Sequence, residues 1–436
     1  MAQPLHLCDA RLAQYLRLFS GQFSLPQWKY FVTVLLGLVQ CDERRTLSAL
    51  LRHVAAKVTI SGLCFFLRAA PWSVADLTAV RQAHFYQQVA AVVAEDHAQQ
   101  RAQRERRAGR PKPTVVTGYL ILDDSTHLKR YARVQAGLGQ HYSGTEKKVV
   151  KGHSLFQSVY VLEGQQLPLT PHLYRQKVTC LAEAVPFVSK IDLAAQEITS
   201  FEPAPDTQTH VLTDSWYAAR RIWQAARQRD WDITCGLRSN RPMRLIQPDG
   251  VRQWLSVRQY AASLTADAFT AVTWPSQDGE KVVYAHLVKT WVRKLGPCQV
   301  LITKLHPDDP VDQCYYWATS CIDDTLEQVI AHVAQRWTIE VLFADFKELM
   351  GSDHYQLRSA QGLLRFWALG LCLYQFLDEV RVTHRRLWGE ALTLGQARQQ
   401  IRESHQTALL DWILDQAEAG VSRTEIGRAL QPAMQL

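Results

Sequence analysis

What this sequence lacks narrows it first. Its nine cysteines, at 8, 41, 64, 180, 235, 298, 314, 321 and 372, contain no C-x-x-C pair. An odd count without metal-finger spacing argues against a disulfide framework and for reduced thiols in a cytosolic protein. A secretion signal is also missing, since MAQPLHLCDARLAQ has no basic start followed by an apolar stretch. The longest uncharged apolar runs, near 31–39 and 366–374, fall well short of the roughly 20 residues that a membrane-spanning helix needs. No internal repeat and no long low-complexity tract occurs. These absences predict a soluble, cytoplasmic chain with no membrane partner.

What is present points toward a polyanion. A chain of 436 residues can bury a full core and hold two or three structural units. Its net charge of +8 favours a polyanionic partner, and thirteen Trp beside basic residues suit stacking on nucleobases. Trp is equally at home in a core, so this second signal is weak by itself.

Along the chain the period changes twice. Residues 1–100 read as helical, with apolar periodicity broken by Gly21, Pro26, Gly62 and Pro71. Within them RRTLSALLRHVAAKVTISGLCFFLRAAPW fits two short helices crossing at a turn, either a DNA-reading pair or plain packing. RAQRERRAGRPKP, residues 101–113, carries six basic residues and one acidic, and reads as a linker whose charge suits phosphates. From Thr114 the pattern becomes extended. VVTGYLILDDST is a buried strand ending in acids, HSLFQSVYVLEG and QLPLTPHLYRQ are further strands, and Glu163–Gly164 is a hairpin turn. Residues 182–196 read as a helix. THVLTDSW is a second buried strand running into an acid, followed by a helix over 217–228 and the strand DITCGLRS. Residues 239–322 alternate as an antiparallel β region, and helices resume from 323 to the end.

The most informative helix is TLEQVIAHVAQRWTIEVLFADFKELM, residues 325–350, free of Gly and Pro, with Asp323 or Asp324 as N-cap and Gly351 as C-cap. At about 100° per residue, Arg336, Glu340 and Lys347 fall within roughly 40° of one another. Ile339, Leu342, Phe346 and Leu349 border this stripe on one side, and Val333, Trp337 and Val341 on the other. A solvated ion pair normally lies opposite the apolar face, so the stripe is expected to point into a cleft. An ordinary i,i+4 ion pair on an all-round apolar helix is the alternative.

Two acids at strand ends and a third on a late helix suit hard divalent ions, which take oxygen ligands and leave room for phosphate. Paired ions about 3.5–4 Å apart activate a nucleophile and stabilise the leaving oxygen in displacement at phosphorus. The candidates are Asp123 or Asp124, Asp214 and Glu340.

Three segments then carry a resemblance. ILDDSTHLKRYA with GLGQHYSGTEKKVVKGHSL, VLTDSWYAARRIW, and RWTIEVLFADFKELMGSDHYQLRSAQGLLRFWALGLCLYQFL resemble, in that order, the three acid regions of bacterial insertion-sequence DDE transposases. Arg336, Glu340 and Lys347 fit the R-x3-E-x6-K spacing of the third; its tyrosine position holds Val333. The resemblance spans about Tyr119 to Leu377. It implies an α/β fold with a ribonuclease-H-like mixed sheet flanked by helices. The implied layout is a helical DNA-binding domain at 1–100, a basic linker at 101–113, a catalytic core at 114–238 and 323–380, a β-rich insertion at 239–322 and a helical region at 381–436.

The resemblance also implies roles. Asp124, Asp214 and Glu340 hold two Mg²⁺ ions, for which Mn²⁺ can substitute. Asp124 is preferred over Asp123 because D-S-T-H-L matches the D-x-T-x-L pattern, with Asp123 as fallback. Arg336 and Lys347 hold phosphates, and Trp291 and Trp317 are candidates to meet a flipped base. The partners are double-stranded DNA, at element ends and target, and a second copy of the chain, on the nucleoid. The alternatives are a ribonuclease-H-like nuclease or resolvase without strand transfer, and a domesticated DNA-binding protein without catalysis.

Overall fold

A computed structural model describes residues 3–5, 7–105, 116–144, 146–246, 252–276 and 279–432. The first part holds a short strand pair, β1 (Gln3–Pro4) with β2 (Val54–Ala55), among α1 (Ala10–Arg17), α2 (Leu25–Gln40), α3 (Leu47–Arg52), α4 (Ile60–Arg68) and α5 (Val74–Glu105). Residues 101–105 of the expected basic linker end α5, and 106–113 lie outside the described residues. The next part holds β3 (Val116–Leu128), β4 (Gly139–Ser143), β5 (Lys148–Leu162), β6 (Gln165–Pro168), β7 (His172–Tyr174), α6 (Lys177–Glu183), α7 (Lys190–Ser200), β8 (Thr207–Thr213), α8 (Arg220–Gln228) and β9 (Asp232–Gly236). Then come β10 (Pro242–Ile246), β11 (Arg252–Ser256), α9 (Val257–Ala262), β12 (Thr270–Ser276), β13 (Gly279–Val292), β14 (Gly296–Lys304) and β15 (Tyr315–Thr319). Five helices close the chain: α10 (Leu326–Gln335), α11 (Trp337–Glu348), α12 (Ala360–Trp388), α13 (Leu394–Glu418) and α14 (Arg423–Ala429).

The fold is α/β: one large mixed sheet flanked by helices, as in ribonuclease-H-like proteins. Its strands run in the order β11-β10-β13-β14-β15-β9-β8-β3-β5-β4, with β3, β8 and β9 parallel and the rest antiparallel to their neighbours. The antiparallel segment after β9 is therefore continuous with the core, because β15 hydrogen-bonds directly to β9. Glu163 and Gly164, both at positive φ, turn β5 into β6. That conformation suits a tight hairpin and strains a non-glycine residue only mildly in the left-handed region.

Helices cover the two faces with separate cores. On one face Ile121 and Leu212 pack with Ile339, Leu342 and Phe346 of α11, with α12, and with the helices of the first 70 residues, in one continuous apolar cluster. On the other, Leu120, Leu122 and Val211 pack with α7 and α8. α12 approaches α11 closely at Gly370, where a Cβ would come within 2.8 Å of the Phe346 ring. Any side chain there would push α11 off the sheet.

Two helix boundaries depart from the sequence reading. The helix expected over 182–196 is two helices, α6 and α7, separated by a segment containing Pro186. The helix expected unbroken over 325–350 is divided at Arg336, where Arg336 N–H reaches Val333 O at 3.1 Å and Ile339 N–H reaches Arg336 O at 3.3 Å. These i→i+3 bonds tighten one turn. The cause is tertiary: α10 buries Val329, Ile330 and Val333 against Val272, Val283 and Leu301, while α11 enters the main cluster. The N-cap of α10 is Thr325, bonded to Gln328 in a reciprocal capping box, not Asp323 or Asp324. Gly351 follows α11 with φ +60°, as expected of a C-terminal glycine.

Candidate active site

β3 and β8 run parallel, so both deliver acids to the same end of the sheet. Side chains alternate along a strand, and Asp123 and Asp124 consequently face opposite sides of β3. Asp123 shares the α11 side with Ile121, and Asp124 shares the α7–α8 side with Leu122. Asp123, Asp214, Arg336 and Glu340 line one cleft of about 450 Å³, together with Asp312, Tyr315 and Trp317.

Each group is held by local structure. Asp214 caps a 3-10 turn over Ser215–Tyr217, accepting the N–H of Trp216 at 2.9 Å and of Tyr217 at 3.3 Å. Gly236 lets the end of β9 lie against that turn, since a Cβ there would sit 2.8 Å from the Ser215 nitrogen. Asp123 accepts the N–H of Asp124 at 2.7 Å. Arg336 stands among the acids, donating to Glu340 and lying 3.8 Å from Asp123, with the Trp317 ring 5.6 Å from its guanidinium.

Charge in this cleft is unbalanced. Among the described residues Asp123, Asp214 and Glu340 face it against the guanidinium of Arg336, while Asp312 on its wall is paired with Arg258 at 2.6 Å. Burial, with Asp214 and Asp124 nearby, pushes the Asp123 carboxyl well above the usual carboxylate range. Asp214 is also raised, mainly by burial, against the pull of its two backbone hydrogen bonds and of Arg336. Carboxylates crowded in this way gain from a divalent cation, and an all-oxygen donor set fits a hard one. The ligand oxygens of Asp123, Asp214 and Glu340 do not all lie within 4.8 Å of one another, and Glu340 is bonded to Arg336.

Asp124 is in a different setting. Its carboxylate accepts Lys190 Nζ at 2.5 Å, Tyr217 Oη at 2.8 Å and Ser154 Oγ at 3.3 Å. Lys190 also lies 5.1 Å from the Tyr174 ring centre. This acid is neutralised and fully bonded by protein.

The other residues expected at the site are spread out. Lys347, two turns beyond Glu340, does not line the cleft; burial lowers its ammonium pKa, and Asp353 partly offsets this. Trp317 is in the cleft wall beneath Arg336. Trp291 lies at the far end of β13, 40% exposed, with Arg244 4.9 Å from its ring centre. Lys190, Tyr217 and Trp216 join the site only in the folded structure. Tyr217 was findable, because it follows Asp214 by three residues in the second motif; nothing in the sequence marks Lys190. Trp216 is 57% exposed beside Asp214, with Arg238 5.3 Å from its ring.

Two acids thus stand at parallel strand ends and a third on a facing helix. The family model described as DDE superfamily endonuclease matches residues 24–291, well over half of the chain. The chain belongs to this family. No curated protein matches it. The matched span includes Asp123, Asp124 and Asp214 and stops before Glu340, so the third acid rests on its motif and on the cleft. The family is one of endonucleases, which typically cut DNA with the help of divalent metal ions. Among the described residues, no helix is long and apolar enough to cross a membrane.

Proposed function

We propose that this DDE endonuclease is a transposase that cuts the ends of an insertion sequence and joins them to target DNA. The observation that carries the reading is the convergence of Asp123, Asp214 and Glu340 on one cleft with Arg336 among them. Asp123 is taken as the first acid, in place of Asp124, because Asp124 already has Lys190, Tyr217 and Ser154 as partners. Two Mg²⁺ ions, or Mn²⁺ in their stead, would be held by these three acids and would supply activation of the attacking hydroxyl and stabilisation of the leaving oxygen.

The chain's own part follows from its contacts. Asp214 offers a carboxylate fixed by two backbone N–H groups, so it needs no reorganisation to accept a ligand. Glu340 leaves Arg336 when it turns toward the acids. That frees a planar, permanently charged fork for a phosphate oxygen of the scissile strand. Lys347 lies further along α11 and suits a more distant phosphate. The helices of residues 1–100 and the basic stretch 101–113 are proposed to recognise the element ends, the β-rich segment 239–322 to steer DNA, and a dimer to hold two ends together on the nucleoid.

The test uses the full-length protein and DNA carrying the sequences that flank its coding region. Mg²⁺-dependent nicking at the element end followed by joining of the freed 3′ end to a second duplex is expected. Nicking without joining would reduce the activity to that of a nuclease or resolvase. Binding without either would leave a DNA-binding protein.

A further inference from the structure

At the opposite end of the same strands lies a second group of metal-ligating side chains. His210 on β8 stands beside Asp232 on β9, and Thr234 on β9 pairs with Thr319 on β15. Continuing that antiparallel register by two residues brings Cys321 level with Asp232. Three neighbouring chain segments thus present His, Asp and Cys in one row, and their ligand atoms all lie within 4.8 Å of one another. His332 descends onto the row from α10, its ring centre 4.3 Å from that of His210.

We infer that His210, Asp232, Cys321 and His332 form a zinc site, separate from the acidic cleft. A thiolate with imidazoles and a carboxylate is a donor set for Zn²⁺, whereas Mg²⁺ takes oxygen alone. Tetrahedral bonds of about 2.0–2.3 Å put ligand atoms about 3.3–3.8 Å apart, so the three residues of the row need only side-chain adjustment, while His332, outside that 4.8 Å group, must turn its ring toward them.

The surroundings already orient these ligands. His210 Nε2 meets Thr234 Oγ1 at 2.8 Å, leaving Nδ1 for the metal. Asp232 accepts from Ser320 Oγ at 3.1 Å and from Gln208 Nε2 at 3.1 Å. Tyr119 Oη meets His332 Nδ1 at 3.0 Å, so Nε2 is the atom that ligates, exchanging its 3.2 Å contact with Asp324 for the ion. Second partners of this kind are what fix ligating side chains.

The Cys321 thiol, which burial beside Asp232 keeps protonated, loses its proton to solvent as sulfur bonds to Zn²⁺. No redox change occurs. The other mixed cluster, Cys41, Glu43 and His53, is unsuited to a cation. Arg52 holds Glu43 at 2.6 Å, and Arg45 and Arg398 add positive charge around Cys41. The consequence of the proposed site is mechanical: it clips α10, which leads directly into Arg336, to the junction of β8, β9 and β15.

The test is zinc content of the full-length protein by plasma mass spectrometry, with Co²⁺ exchange as an optical probe. One zinc per chain is expected, and the cobalt form should show a thiolate-to-cobalt charge-transfer band. Cys321→Ser should abolish that band, and His332→Gln should weaken zinc affinity by about tenfold or more. Cys41→Ser and Asp123→Asn should leave both readouts unchanged, the latter separating this site from the cleft. Wild-type protein that holds no zinc after incubation with the ion and dialysis would overturn the proposal. A charge-transfer band that survives Cys321→Ser would overturn it as well.

Discussion

Asp123 and Asp124 share a strand and a charge, and differ in what their carboxylates meet. Asp124 has a lysine, a phenol and a serine hydroxyl around it. Asp123 has one backbone N–H, a guanidinium at 3.8 Å and other acids. The first is a finished interaction. The second sits among other acids with its carboxyl pushed well above the usual range, a setting in which a bound cation would favour the ionised form. One peptide unit separates an acid bonded by protein from one that faces the cleft, and the pleat of β3 makes the difference; the proposed function gives the reactive role to the second.

The largest expected effect breaks or confirms that division. Asp123→Asn, Asp214→Asn and Glu340→Gln should each lower metal-dependent cleavage by about a thousandfold or more, the loss of several kcal/mol of transition-state stabilisation. Melting temperature should hold or rise for the two Asp variants, because each relieves crowding among carboxylates, and should stay near the parent for Glu340→Gln, which gives up a part-exposed ion pair with Arg336. If Asp124→Asn instead removes cleavage without loss of stability, while Asp123→Asn remains active, the two roles are exchanged.

Next in size is the stability of the socket around Asp124. Lys190→Met leaves a carboxylate that is only 16% exposed without its cation, and should cost about 3 kcal/mol. Denaturant unfolding reads this directly. Asp214→Asn should show no comparable loss, and equal losses in both variants would mean that the two settings are not distinct.

Much of this was legible in the sequence because it is local. The apolar run VVTGYLIL ending in acids, the second run ending at Asp214 and the spacing Arg336–Glu340–Lys347 each encode one element. The α/β class and the facing of Glu340 into a cleft followed from them. Which of two adjacent acids faces the cleft did not follow, since alternation predicts opposite faces without saying which is which. That choice depends on which side α11 packs, a tertiary fact carried by Ile339, Leu342 and Phe346 against Ile121. The division at Arg336 was hidden for the same reason. No Gly or Pro marks it, and only the two separate cores of α10 and α11 require it. Lys190 lies 66 residues from Asp124, beyond any pattern of spacing.

A smaller effect sharpens the comparison along α11. Arg336 lines the cleft, whereas Lys347 does not. Arg336→Ala should depress both cleavage and DNA binding, and reduce the slope of log affinity against log salt by about 0.9 for one lost phosphate contact. Lys347→Ala should change the slope by that amount or less while cleavage is largely kept. Unchanged slopes in both variants would make the pair structural.

The smallest expected effect is the dependence of stability on pH. Asp123 and Asp214 both have carboxyls raised in the folded chain, chiefly by burial, with Asp124 adding to each and Arg336 opposing. Between the unfolded value, about 3.9, and the raised folded ones, the native chain holds more protons than the unfolded chain. The stabilisation from these two groups is therefore complete below about pH 3.9 and lost as pH rises through the folded values. Metal-free protein should accordingly melt a few degrees lower as pH climbs through that window, each group giving up at most roughly 1.4 kcal/mol per pH unit. Mg²⁺ binds the deprotonated form, so it should flatten or reverse the trend. Asp123→Asn removes one titrating group and should flatten it without metal. Asp124→Asn tests the contrast from the other side, because it deletes a neighbour that raises both carboxyls while leaving them in place. It should shrink the pH dependence and, unlike Asp123→Asn, keep the response to Mg²⁺. A melting curve whose pH dependence is the same in wild type and Asp123→Asn would show that this carboxyl does not titrate as its surroundings require.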